Sequence, residues 1–104
     1  MTNDRIDKLR KMLEDQPDDT FLLYGLAMEW KKAGDHKQAL EGFDRVIQQN
    51  SAYCYAYYQK GLVLEDQGNL NAAKTAYEQG IEAARKSGDD HARSELEAAL
   101  SLLG

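Results

Sequence analysis

The chain has 104 residues, 42% apolar and 30% charged, with a net charge of −5, enough for one globular domain with a modest core. That acidic balance excludes the clustered basic face that phosphate neutralisation needs, and the mid-chain pairs Lys31-Lys32 and Arg85-Lys86 read as solvated helix faces, so no nucleic acid is expected as a partner. A lone Cys54 excludes an internal disulfide or a multi-thiolate zinc site, and no apolar run nears the ~18 residues of a membrane span or forms a secretory signal; a cytoplasmic protein with no membrane contact is expected.

No segment alternates with period two, proline occurs only at Pro17, and strong helix formers abound, so the chain is expected to be all-α. A first helix is predicted over about 4–14, with Ile6, Leu9, Met12 and Leu13 on one face, and Pro17 ends it. Asp18-Asp19-Thr20 offer N-caps for a second helix over 20–32, with Leu23, Leu26, Ala27 and Trp30 inward. Gly34 suits the left-handed turn that closes it, and Asp35 with Gln38 forms a potential capping box for a third helix reaching about 49, with Ala39, Leu40, Phe43, Val46 and Ile47 in one stripe. A fourth helix over 53–66 is followed by Gly68-Asn69, which repeat the turn chemistry of Gly34-Asp35. The fifth spans 70–86, and Ser87-Gly88-Asp89-Asp90 turn the chain into a sixth over 91–103, with Leu96, Leu100 and Leu103 inward.

These elements repeat at an offset of 34 residues: Gly34 falls on Gly68, Ala39 on Ala73, Tyr24 on Tyr58 and Ile47 on Ile81, and Ala27 on Gly61, Phe21 on Tyr55, Met28 on Leu62 and Phe43 on Tyr77 agree in type. A fixed period of this size marks a helix–turn–helix repeat array. Two helices approach closely only where one offers a small residue. Ala27 and Gly61 make that space on the first helix of each pair and Ala39 and Ala73 on the second, while Trp30, Phe43, Tyr57 and Tyr77 fill the gaps between.

The runs Leu23-x-x-Leu26-Ala27-x-x-Trp30-x-x-x-Gly34 with Ala39 and Phe43, and Tyr57-x-x-x-Gly61-x-x-Leu64-x-x-x-Gly68 with Ala73 and Tyr77, resemble the tetratricopeptide repeat. The resemblance implies a right-handed stack of about six antiparallel helices (an α-α superhelix) forming one domain: residues 1–17 a half-repeat helix, 20–50 and 54–86 full repeats, and 90–104 a capping helix. Three positions depart from the pattern. Lys60 replaces a leucine, its stem expected to cover apolar surface; Gly80 stands where alanine or valine is expected to pack better; Arg5 replaces a packing alanine in the half repeat.

The resemblance further implies a non-catalytic protein-interaction module that binds a peptide or helix of a partner in a groove lined by the first helix of each pair. By position that groove comprises Phe21, Tyr24, Met28 and Lys31 from one repeat and Tyr55, Tyr58, Leu62 and Glu65 from the next. Aromatic and thioether side chains suit this role; the alternative is that these rings only pack on flanking helices. Of the crowded Tyr53, Tyr55, Tyr57 and Tyr58, helical spacing allows only some to face the core, and Tyr57 is the expected member. Tyr24 and Met28 stand where the carboxylate-gripping subtype carries lysine and asparagine, which argues against recognition of chaperone tails. With only two full repeats, a homodimer that consumes the groove in self-association is the competing reading.

Nothing points to catalysis, a metal or a cofactor. His36 and His91 are separate, no phosphate loop or nucleophile elbow occurs, and the doublets Asp18-Asp19 and Asp89-Asp90 precede helices, where capping explains them. Cys54 has no basic neighbour in sequence that would activate it.

Overall fold

A computed structural model of the protein describes residues 3–104. It contains six helices: α1 (Asp4–Asp15), α2 (Thr20–Lys32), α3 (His36–Gln49), α4 (Cys54–Asp66), α5 (Leu70–Ser87) and α6 (Asp90–Leu102). Each packs on its neighbours in sequence, and α4 also meets α6.

The helix ends follow from local chemistry. Asn3, Asp19, Asp35 and Asp89 each place a side-chain oxygen on an N–H of the first turn of α1, α2, α3 and α6. Gly34, Gly68 and Gly88 have φ of 81°, 77° and 72°, and each closes a Schellman turn in which the next residue's N–H reaches back five residues: Asp35 to Trp30 O, Asn69 to Leu64 O and Asp89 to Ala84 O. This geometry limits two expectations. The capping box of Asp35 is one-sided, with Gln38 N donating to Asp35 Oδ1 at 3.1 Å, because the Asp35 N–H is already committed to Trp30 O at 3.0 Å. Asn69 repeats the turn of Asp35 but its side chain makes no cap hydrogen bond.

The interior consists of two apolar clusters. One joins Leu23 and Ala27 of α2 to Ala39, Phe43 and Val46 of α3 and to Ala56 and Val63 of α4. The other joins Tyr57 and Leu64 of α4 to Ala73, Ala76 and Tyr77 of α5 and to Ala92, Leu96 and Ala99 of α6. Leu40 and Ile47 of α3 pack against both. Phe43 and Tyr77 are fully buried and Tyr57 nearly so, as the repeat pattern predicts.

Four expectations are corrected. Met12 is 52% exposed: α1 packs chiefly on α2, which covers Ile6 and leaves Met12 outside. Trp30 is only half-buried, with the Arg10 guanidinium 5.0 Å over its ring. Leu100 and Leu103 of the last helix are only partly covered, and Ala92 and Ala99 take the buried places around Leu96. At Gly80 an added methyl would lie 2.8 Å from Tyr57 Cβ and 2.9 Å from Leu96 Cδ2, so alanine would be crowded where it was expected to pack better. The other two departures find partners. Lys60 Nζ meets Asp44 Oδ1 at 2.7 Å, and Arg5 Nε meets Oε2 of the nearly buried Glu29 at 3.2 Å.

Candidate functional site

The first helices of the successive pairs, α2 and α4, carry the predicted groove residues, and α6 extends that side of the stack. Tyr24 is half-buried, its ring 5.0 Å from Tyr53 and 5.7 Å edge-on to Phe43. Burial above all, and then the neighbouring Tyr53, push the Tyr24 hydroxyl above the ordinary tyrosine value, while a hydrogen bond with Gln59 acts in the opposite sense. Met28 packs behind it on the first core cluster. Lys31 Nζ donates to Gln59 Oε1 at 2.6 Å, tying the end of α2 to α4. Phe21 stands apart, 77% exposed in the first turn of α2.

On α4, Tyr58 lies between the Tyr55 ring at 6.4 Å and the Tyr77 ring at 6.1 Å. The Tyr77 hydroxyl donates to the Glu65 carboxylate. Burial and that carboxylate together hold the Tyr77 hydroxyl well above the ordinary tyrosine range. Burial, and then the carboxylates of Glu95 and Asp89 on the α6 side, push Tyr55 upward too.

Tyr58, Leu62 and Glu65 share a cleft with Glu95, Ala98, Ala99 and Leu102 of α6. The structure thus joins three of the eight predicted residues in one cleft and ties Tyr24 and Lys31 to α4 through Tyr53 and Gln59. Gln59 and the α6 residues were missed. Only continuation of the first-helix pattern beyond the second repeat could have indicated α6, and there the period slips: α4 begins 34 residues after α2, whereas α6 begins 36 after α4.

The remaining chemistry-bearing residues are dispersed. His91 Nε2 lies 2.8 Å from Glu95 Oε1 on an exposed face. Cys54 is buried, with its thiol donating to Ala52 O at 3.3 Å and its sulfur 3.8 Å from Ser87 Oγ. Asp19 and Asp89 cap helices. Among the described residues no group of three His, Cys, Asp or Glu side chains could hold a metal ion, and no helix is long and apolar enough to cross a membrane.

Comparison with known proteins agrees with this geometry. Tetratricopeptide repeat models match residues 19–51 and 55–87. A TPR repeat-containing protein of Pseudomonas aeruginosa is 33% identical over 91 residues, 88% of this chain and 87% of its own length. A heat-shock protein cognate co-chaperone of Aspergillus fumigatus is 30% identical over 92 residues, 88% of this chain but only 27% of that protein. The solution structure of a Bordetella parapertussis protein superposes with a TM-score of 0.84 at 26% identity, covering 99% of this chain and 89% of that one. In helix order, in the pairing of small with large residues and in sequence, the chain belongs to the tetratricopeptide repeat family.

Proposed function

We propose that the protein is a non-catalytic interaction module that holds a peptide or helix of a partner protein along the face formed by α2, α4 and α6. In this reading α1 serves as a half repeat and α6 as a cap, and together they complete the one domain. Proteins of this family generally mediate protein–protein contacts, and the observation that carries the reading here is the arrangement of Tyr24, Tyr58 and Leu62. All three are half-buried, so each presents part of its apolar surface while the rest is held by neighbouring side chains. Surfaces ordered in this way bind with a small entropic cost. The departure of Tyr24 and Met28 from the carboxylate-gripping pattern favours apolar side-chain docking over capture of a chain terminus, the co-chaperone relative notwithstanding.

The test uses peptides selected from a random phage-displayed library, titrated into isotopically labelled protein. Amide shifts concentrated on α2, α4 and α6 are expected; shifts confined to α3 and α5, or no selected peptide, overturn the reading. The alternative occupant is a second copy of the chain, since two full repeats are few for a continuous repeat core. Light scattering over a wide concentration range decides it: a constant monomer mass leaves the face free for a partner, and a stable dimer favours self-association.

A further inference from the structure

The cleft between α4 and α6 has a more specific chemistry than an apolar groove. Its volume, about 270 Å³, falls below the range of about 300–1,000 Å³ that accepts a drug-sized ligand, and so suits one or two side chains of a longer guest. Its apolar surface comes from Tyr58, Leu62, Ala98, Ala99 and Leu102, and its two charges are carboxylates on different helices, Glu65 on α4 and Glu95 on α6. Among the described residues no lysine or arginine nitrogen lies within 4.0 Å of either; Glu65 is engaged by the neutral Tyr77 hydroxyl and Glu95 by the exposed His91. Asp89 and Glu95 also bear on Tyr55 at the near end of α4. Lys31, the cation among the predicted groove residues, reaches from α2 to Gln59 of α4. The charges that line the cleft are therefore both negative, and the neighbouring Lys31 is already engaged by a neutral amide.

We propose that this cleft docks a lysine or arginine side chain of the partner segment, with the aliphatic stem on Leu62, Leu102 and the Tyr58 ring and the cation between Glu65 and Glu95. The inference rests on the reading of this face as a peptide-docking groove and adds the charge of the guest. Long basic side chains combine an apolar stem with a charged head, which is the pairing the cleft offers. A cation above the Tyr58 ring gains further attraction from its π face.

The experiment extends the peptide selection. Enriched peptides are expected to carry lysine or arginine beside apolar residues. Their affinity, read by fluorescence anisotropy, should fall roughly five- to tenfold in the Glu65→Gln/Glu95→Gln double variant, as two partly exposed ion pairs would give, and the deficit should shrink as salt is added. Glutamine at 65 still accepts from Tyr77. Should that variant nonetheless lose stability, Glu95→Gln alone, which leaves the Tyr77–Glu65 bond in place, is expected to weaken binding roughly two- to threefold. Peptides that map to α2, α4 and α6 but lack basic residues and ignore the glutamine variants overturn the cation inference and leave the docking groove standing. Peptides that map elsewhere, or none selected, overturn both.

Discussion

The packing of the Tyr77 ring against Gly61 gives a sharp stability test. A methyl added at Gly61 would collide with the ring of Tyr77, meeting Cε1 first, then Cδ1 and Cζ. That ring is fully buried and its hydroxyl is fixed on Glu65, so it cannot swing away and α4 must instead separate from α5. Overpacking of this kind costs about 1–3 kcal/mol, whereas replacing a mid-helix glycine by alanine gains about 1 kcal/mol in propensity. With the collision at the upper end of its range, Gly61→Ala should destabilise by about 1–2 kcal/mol, lowering Tm by roughly 5–15 °C in a domain of this size. The internal control is Gly25→Ala. Its methyl would meet only Leu9 Cδ2 and Cδ1, at 3.7 and 3.8 Å, which is ordinary contact, so the propensity gain remains and Tm should rise by roughly 4–8 °C. Thermal melts followed by far-ultraviolet circular dichroism measure both. If Gly61→Ala melts at or above the parent while Gly25→Ala also gains, α4 and α5 have room for a methyl and the close approach at Gly61 is wrong.

Two further perturbations test the polar framework. Tyr77→Phe keeps the buried ring and removes only the hydroxyl on Glu65, so it should cost about 1 kcal/mol, below the usual range of about 1.5–3 for a bond to a charged group because the partly exposed Glu65 can be rehydrated. The same change alters the alkaline limb. The folded-state pKa of Tyr77 is raised, so its contribution is complete below the unfolded value of about 10 and is lost as pH rises toward the folded one; urea midpoints of the parent should fall more steeply above about pH 10 than those of the variant, by up to about 1.4 kcal/mol per pH unit. Parallel slopes would show that Tyr77 does not bind its proton more tightly in the fold. Asp19→Ala removes the bond from Leu22 N at 3.0 Å and should cost about 1 kcal/mol, whereas Asn69→Ala, which loses no cap bond, should stay within about 0.5 kcal/mol; equal losses in chemical denaturation would refute the distinction between the two caps.

The features legible in the sequence are those set by a residue's own backbone or size. Gly34 and Gly68 announce left-handed turns, Asp19 and Asp35 announce caps, and the alternation of Ala27 and Gly61 with Phe43 and Tyr77 announces which helices touch. Helical spacing shows that four neighbouring tyrosines cannot share one face, the repeat pattern singles out Tyr57 as the core member, and its hydroxyl finds Ser51 O at 3.0 Å. What was not legible depends on which neighbour is present. Met12 lies on the apolar stripe of α1, but the stripe is wider than the surface α2 offers. Glu29 is not among the residues predicted to face inward on α2, yet it is nearly buried and paired with Arg5, whose departure from the repeat pattern that pair explains. Gly80 looks like a packing defect until Tyr57 and Leu96 are placed against it. The cleft at α6 was hidden for a different reason: α5 has 18 residues against 14 in α3, and the added turn breaks the period that identified the other groove positions.

The rings proposed to face a partner are also part of the protein's own packing, which changes how the proposed groove must be probed. Tyr24 closes over Phe43, and Tyr58 leans on Tyr77, the largest fully buried side chains of the two clusters. Truncating both tyrosines to alanine would remove surface that shields those rings, at about 1 kcal/mol or more for each large apolar side chain partly uncovered, so loss of binding in that variant would not separate a groove from a core. Tyr58→Phe keeps the ring and its stacking and removes only the hydroxyl. Leu62→Ser and Ala98→Arg act at the cleft rather than in either cluster. If the side chains exposed in the cleft supply the binding energy, these last two variants should weaken a selected peptide while Tyr58→Phe changes affinity little and all three melt close to the parent. A peptide that is insensitive to Leu62→Ser and Ala98→Arg but lost in the double alanine variant would show that the tyrosines act only by holding the helices in place.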